Sequence, residues 1–395
     1  MAERLKRRIG PALLTAYGVG VMVGAGIYVL VGAVVGDAGV HAPLSFLLAG
    51  LIAAPTALSY AEYSTRLPEA AGEAAFVGQG LNSQAMALIV GLAIVAAGTL
   101  SAGAVLRGGV GYLTHAIAID PTLAILVLGA ALTAVAVFGV LESLALVAVF
   151  TVIELSGLVL VIWAGLGAAP SPDWAAPTGI VWSGVTLGAV LAFFAFIGFE
   201  DIVNMAEETS RPSRTLPLAI LLSLAITTVI YALVALAAVR AVPLGQLVAS
   251  ESPLALVWST ARGGNGAFLS AIAVFAALNG VLAQIVMASR VLFGLGRRTP
   301  ALAVFHHASP RFGTPVLATL LLGAAVVLGA LFVPFATLAE TTSSILLGVF
   351  VLVNLALILQ KRRAPDAPFR VPMSVPVAGL VLSLAALSVA LAGLA

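Results

Sequence analysis

The chain has 395 residues, 62% of them hydrophobic and 9% charged, with a net charge of +2 and a mean hydropathy of +1.17. Soluble domains carry roughly 25% charged residues, so this composition excludes a water-soluble globular protein and describes a polytopic membrane protein. With no cysteine in the sequence, disulfides, thiolate metal sites and cysteine nucleophiles are excluded, and the four histidines lack the i, i+4 pairing of a helical metal site.

The basic stretch Met1–Arg8 precedes an apolar segment about twice as long as a signal-peptide core, which predicts a retained first span. Runs of about 20 apolar residues predict eleven spans, at 12–36, 42–61, 84–106, 121–140, 144–168, 180–206, 215–239, 266–295, 315–334, 337–360 and 373–394. The amphipathic stretches 62–83 and 240–265 predict short interfacial helices, with Pro68 and Pro243 as breakers. The stretches 107–120, 169–179, 207–214, 296–314 and 361–372 read as polar connections. With the amino terminus in the cytoplasm, fifteen Lys and Arg fall on that side and three, Arg107, Arg240 and Arg262, on the other. This positive-inside distribution predicts a multi-pass cell-membrane protein with a cytoplasmic N-terminus. The basic runs Arg4–Arg8 and Lys361–Arg363 read as topology anchors.

The first span, LLTAYGVGVMVGAGIYVLVG, holds Gly18, Gly20, Gly24 and Gly26. Each glycine costs a helix about 1 kcal/mol relative to alanine, so the density has a reason, and two are open. Small residues let helices pack closely, or the helix unwinds around Val23–Gly26. An unwound turn exposes backbone groups at mid-membrane that a bound zwitterion satisfies, and the N-terminus of the following half-helix faces a carboxylate. The sixth span loses its apolar character at Ile197-Gly198-Phe199 and continues with Glu200 and Asp201, an expensive placement in lipid that marks a functional site. The two interrupted spans open two five-helix sets, 1–5 and 6–10, and the odd offset inverts one set against the other. That pattern points to a transporter with a midplane site.

Glu154, Glu200 and Asp201 stand well inside spans, and Glu340, near the outer end of the tenth, reads as interfacial. Glu200 lies seven residues before Glu207, about 10 Å along a helix, and reads either as a proton carrier or as a structural carboxyl bonded to the broken backbone. Its neighbour Asp201 is expected to face another way, while Glu207 and Glu208 lie at the membrane surface. Glu154 sits near the centre of the fifth span, where packing alone does not account for a carboxyl. In the eighth span Asn279 and Gln284 are polar groups that contact either substrate or a neighbouring helix. The third span supplies only small groups, Thr99 and Ser101.

VGAGIY at 23–28, PLSFLLAGLIAAPTALSYAEYSTRLPEAAGEAAFV at 43–77, FFAFIGFEDIVNMAEETSRPSRTLP at 193–217 and SRVLFGLGRRTPALAVFHHASPRFGTPV at 289–316 resemble the bacterial amino acid permeases of the amino acid–polyamine–organocation superfamily. The resemblance covers about residues 9–360. It implies an all-α, LeuT-like 5+5 inverted repeat, with repeats at about 10–168 and 178–360 and an additional helix at 373–394. Helices 1 and 6 would be discontinuous, and the chain would have one helix fewer than the twelve of many members. Carried over by position, the carboxylate cradle falls on the amides of Gly24, Ala25 and Gly26. The amine-binding carbonyls fall on Met22, Phe194 and Ile197, with Phe194 as an aromatic gate and Gln284 facing substrate. Some proton-coupled relatives place a lysine at the position of Glu154, which makes Glu154 a coupling candidate with Ser289 as a neighbour.

The expected function is proton-coupled uptake of an amino acid by alternating access, with sodium as the other candidate ion. No acid beyond Glu200, Asp201 and Glu154 is expected near a cationic side chain, which favours a neutral, small or apolar substrate. An obligate exchanger and a cationic amino acid or polyamine transporter are the alternatives. No cofactor, nucleotide-binding loop, nucleic-acid partner or clustered catalytic residues are implied.

Overall fold

The computed structural model describes residues 9–67, 72–138, 144–176, 179–205, 209–309, 312 and 314–393. Among these the secondary structure is helical throughout, apart from a single bridge pairing Ile9 with Thr209. The helices are α1 (Pro11–Val23), α2 (Ala25–Ala38), α3 (Ala42–Arg66), α4 (Gly72–Leu81), α5 (Gln84–Ala116), α6 (Pro121–Phe138), α7 (Leu144–Leu166), α8 (Pro172–Ala175), α9 (Trp182–Phe193), α10 (Pro212–Ala241), α11 (Leu244–Ala249), α12 (Pro253–Arg262), α13 (Ala267–Arg298), α14 (Val316–Phe332), α15 (Phe335–Arg363) and α16 (Ser374–Gly393). Eight described helical stretches are long and apolar enough to cross a bilayer, and three shorter ones are apolar, α1, Phe150–Leu166 and α14. This is a polytopic, all-helical membrane protein.

The first span is broken at Gly24, whose φ of −37° and ψ of −171° leave the helical region between α1 and α2. Both readings of its glycines hold at different positions. A Cβ on Gly18 would lie 2.4 Å from Ile202 Cδ1, and one on Gly20 would fall on the Thr151 hydroxyl, so those two serve packing. Gly24 makes the break. The sixth span ends its regular helix at Phe193, turns through a 3-10 segment at Phe194–Phe196, and passes Gly198 at φ +124°. It resumes as a second 3-10 segment, Glu200–Met205. Pro68, Glu207, Glu208 and Arg311 lie outside the described residues.

Short helices form where interfacial ones are expected, as α4, α11 and α12. The stretch 107–120 differs from expectation, because α5 continues as helix to Ala116. The Arg107 guanidinium donates to the Ala330 carbonyl at 2.7 Å near the end of α14, which fills an otherwise unpaired acceptor and lets a charged residue remain in the helix.

An aromatic cluster seats the broken sixth span. Tyr60 of α3 meets Phe76, Phe199 and Phe350 edge-on at 6.1, 5.7 and 5.6 Å, and Phe193 meets Phe350 at 5.7 Å. Such pairs contribute about 1 kcal/mol each beyond area burial, so the turn after Gly198 is held by α3, α4 and α15. At the end of the bundle carrying Arg66, a fully buried Glu62 accepts from Arg66 Nε and Nη2 at 3.0 and 2.6 Å and from the Val371 amide at 2.9 Å. Lys361 Nζ bridges both Glu62 oxygens at 2.9 and 2.6 Å and donates to the Val371 carbonyl at 2.7 Å. Lys361 is therefore a buried ion-pair partner joining α3, α15 and the segment before α16, rather than the topology anchor its basic run suggests.

Candidate functional site

The two interruptions meet. Gly198 packs so closely on α1 that a Cβ there would lie 2.7 Å from Val21 Cγ1 and 3.2 Å from the Met22 amide nitrogen. A Cβ on Gly26 would make ordinary contact with Ala195 Cα at 3.5 Å and with the Phe194 ring. The Tyr231 hydroxyl of α10 lies 2.6 Å from the Met22 carbonyl oxygen and 2.9 Å from that of Ala195. One hydroxyl proton serves one acceptor fully at a time, so this tyrosine links the breaks and leaves acceptor capacity between them.

Around this junction, Gly24 caps α2 with no side-chain hydrogen bond, so the first amides of α2 retain their positive end. Met22 and Phe194 are buried, at 2% and 4% exposure. The Phe194 ring meets Phe335 edge-on at 6.3 Å, and its carbonyl accepts from the Ile197 amide at 3.3 Å. Ile197 lines a small cavity of about 20 Å³, room for about one water molecule.

That cavity gathers Glu73 of α4, Gly98 and Ser101 of α5, Ile197, Glu200 and Asp201 of the broken span, Gln284 and Met287 of α13, and Leu346 of α15. Glu200 takes the Gly198 amide on Oε2 at 2.9 Å, so one oxygen fastens the broken backbone, as the structural reading of this residue anticipates. Asp201 lines the same cavity and does not face away. The chain has just passed Gly198 at φ +124°, so the direction of both side chains is set by that turn and not by continuation of the helix before it. Gln284 reaches the cavity past Gly98, where a Cβ would come within 3.0 Å of its Oε1, and that oxygen has no hydrogen-bond partner. Thr99 points elsewhere, donating to Val95 of its own helix at 2.7 Å.

Glu73 corrects the expectation that no further acid approaches the site. It lies on α4, outside the membrane-crossing helices, and is 7% exposed. Burial pushes its carboxyl up to about 7; its own backbone amide opposes the rise and the Asp201 charge adds to it. Glu73 thus keeps a proton in the fold between pH 4.5 and 7 that the unfolded chain releases. Its contribution to stability is largest below that window and falls as pH rises through it.

The other candidates are more dispersed. Glu154 of α7 is 3% exposed, with Oε2 unpartnered and its own carbonyl accepting from the Tyr28 hydroxyl of α2 at 2.8 Å. It therefore abuts the second half of the first span. Ser289 is not brought to it by any hydrogen bond; its hydroxyl donates to Val286 within α13 at 2.9 Å, because a serine in a helix finds the preceding turn more readily than a neighbouring helix. Asn279 is half-buried on α13 and is not among the cavity-lining residues. Sequence reasoning missed Tyr231 and Glu73. A tyrosine inside a span needs an acceptor for its hydroxyl, which was a usable signal for the first; Glu73 sits in an amphipathic stretch whose approach to the sixth span is purely tertiary.

The amino acid permease family model matches residues 10–394. The chain is similar to a branched-chain amino acid permease of Bacillus subtilis (strain 168), 29% identical over 96% of this chain and 87% of the relative. It is similar to a methylthioribose transporter of the same organism, 28% identical over 96% and 87%. A vacuolar cationic amino acid transporter of Arabidopsis thaliana is 29% identical over 94% of this chain and 66% of its own length. These names cover three kinds of solute, so family membership establishes amino acid permease character without choosing among substrates.

Proposed function

Because the chain belongs to the amino acid permease family, we propose that it is a proton-coupled importer of a neutral amino acid working by alternating access. The observation that carries this reading is the junction of two helix breaks, at Gly24 and Gly198, joined by Tyr231. In the proposed binding mode the amides of Gly24, Ala25 and Gly26 hold the substrate carboxylate, and the carbonyls of Met22, Phe194 and Ile197 hold its amine. Phe194 closes over the substrate and Gln284 contacts it. The two halves of the chain, about 10–168 and 178–360, act as inverted repeats rocking about this junction, in a cell membrane with the basic end in the cytoplasm.

Apolar walls at Ile94, Ala97, Ile197, Met287 and Leu346 support a neutral, small side chain. A cationic side chain is the second reading, favoured by the three carboxylates of the same cavity. Coupling is tested at Glu154, whose buried, unpartnered oxygen suits proton exchange. A pH gradient alone, inside alkaline, drives uptake by the wild-type protein into empty liposomes. Glu154→Gln loses that drive while amino acid exchange persists. Wild-type exchange without gradient-driven uptake would make the protein an obligate exchanger, and full drive in the variant would remove Glu154 from coupling.

A further inference from the structure

The cavity beside Gly198 has an unbalanced set of groups. Glu73 faces it from α4, Glu200 and Asp201 from the unwound turn, Gln284 from α13 and Ser101 from α5, with Leu346 of α15 as apolar wall. Tyr60 of α3 packs its ring on Phe76 of α4, and its buried hydroxyl has no hydrogen-bond partner. None of the cavity-lining residues is Lys, Arg or His. Ser101 is 5% exposed, and the buried Gln284 Oε1 has no hydrogen-bond partner. Three carboxylates in one apolar enclosure cannot all carry charge without a counter-ion. Among the described residues no group of acids and histidines is close enough to hold a metal ion, and in this conformation the cavity, at about 20 Å³, has room for one water. A proton neutralises a carboxylate there without further ligands and without widening the cavity.

We propose that Glu73 shares a proton with Glu200 and Asp201 through this cavity, forming a proton-loading site across the seam between α4–α5 and the unwound sixth span. This rests on the proton-coupled reading above and adds a residue and a place to it. While the proton is held, a carboxylic O–H on one member donates to a carboxylate of another, directly or through one water, and the turn after Gly198 stays seated. Its transfer to water leaves like charges facing across the seam, and their repulsion favours separation of α4 from the sixth span. Ser101 and Gln284 supply the donor and acceptor that a bridging water requires.

The test is made on the full-length protein in liposomes, with Glu73→Gln. The ratio of pH-driven uptake to amino acid exchange is expected to fall at least about tenfold, the loss of one coupled proton per pH unit of gradient. In wild type, apparent substrate affinity weakens as pH rises above about 7; in the variant that profile is flat. Glu73→Asp restores the drive with a shifted profile, and it carries the test should Glu73→Gln fail to insert, an unshifted profile then overturning the proposal. A wild-type ratio and profile in Glu73→Gln would overturn it. So would selective loss of cationic amino acid binding with the drive for neutral ones intact, which would make the cavity a side-chain subsite. Absence of any exchange by the wild-type protein would instead remove the transport reading itself.

Discussion

Gly198→Ala abolishes transport, or lowers it at least tenfold, while the protein still inserts and can be purified. Gly198 has φ +124°, a conformation that costs a residue with a side chain about 1–3 kcal/mol. The added methyl would also lie 2.7 Å from Val21 Cγ1, 3.1 Å from the Val21 carbonyl carbon and 3.2 Å from the Met22 nitrogen. Val21 can turn its side chain; the backbone of α1 cannot yield without moving Met22. The two breaks are then pushed apart at the point where Tyr231 links them, and a shift costing about 1.4 kcal/mol already changes an equilibrium tenfold. Gly294→Ala is the matched control, since nothing lies within 4 Å of a Cβ there. Initial rates of labelled amino acid exchange in liposomes check the pair: full activity in Gly198→Ala would show that the close approach has no part in transport.

Glu62→Ala destabilises the fold by about 3–5 kcal/mol, the range for stripping the partner from a buried charge. Lys361 Nζ would keep only the Val371 carbonyl, the Val371 amide would lose its acceptor, and Arg66 would retain the carbonyls of Ala364 and Asp366. Lys361→Met has the smaller effect, because Arg66 still pairs with Glu62 and the apolar side chain follows the lysine stem. Thermal unfolding in detergent separates the two variants, and equal, negligible shifts would show that the network adds nothing to stability.

The polytopic membrane character and both helix breaks were legible in the chain because their signals are local: hydropathy in windows, glycine density, and carboxyls placed directly after an apolar run. The packing role of Gly18 and Gly20 was readable only as one of two options, since Thr151, Ile202 and Ser223 approach them from distant positions. Arg107 argued for a loop until Ala330 gave it a partner in a helix. Lys361 looked like a solvated anchor because Glu62 lies 299 positions away. Asp201 was expected to face away from Glu200, and the turn at Gly198 brings both to one cavity; Glu73 was not singled out, because nothing near it in sequence hints at a seam with the sixth span. Each of these misreadings concerns which side chains meet, a tertiary property that periodicity does not encode.

The central claim, that the junction at Gly24 and Gly198 binds an amino acid and carries it across a membrane, is tested most directly by counterflow. Purified protein in liposomes preloaded with one unlabelled amino acid at a time is supplied with trace labelled substrate outside. Transient accumulation with a small neutral amino acid, lost in Gly198→Ala, is the predicted result. No accumulation of neutral or cationic amino acids by the wild-type protein would contradict it.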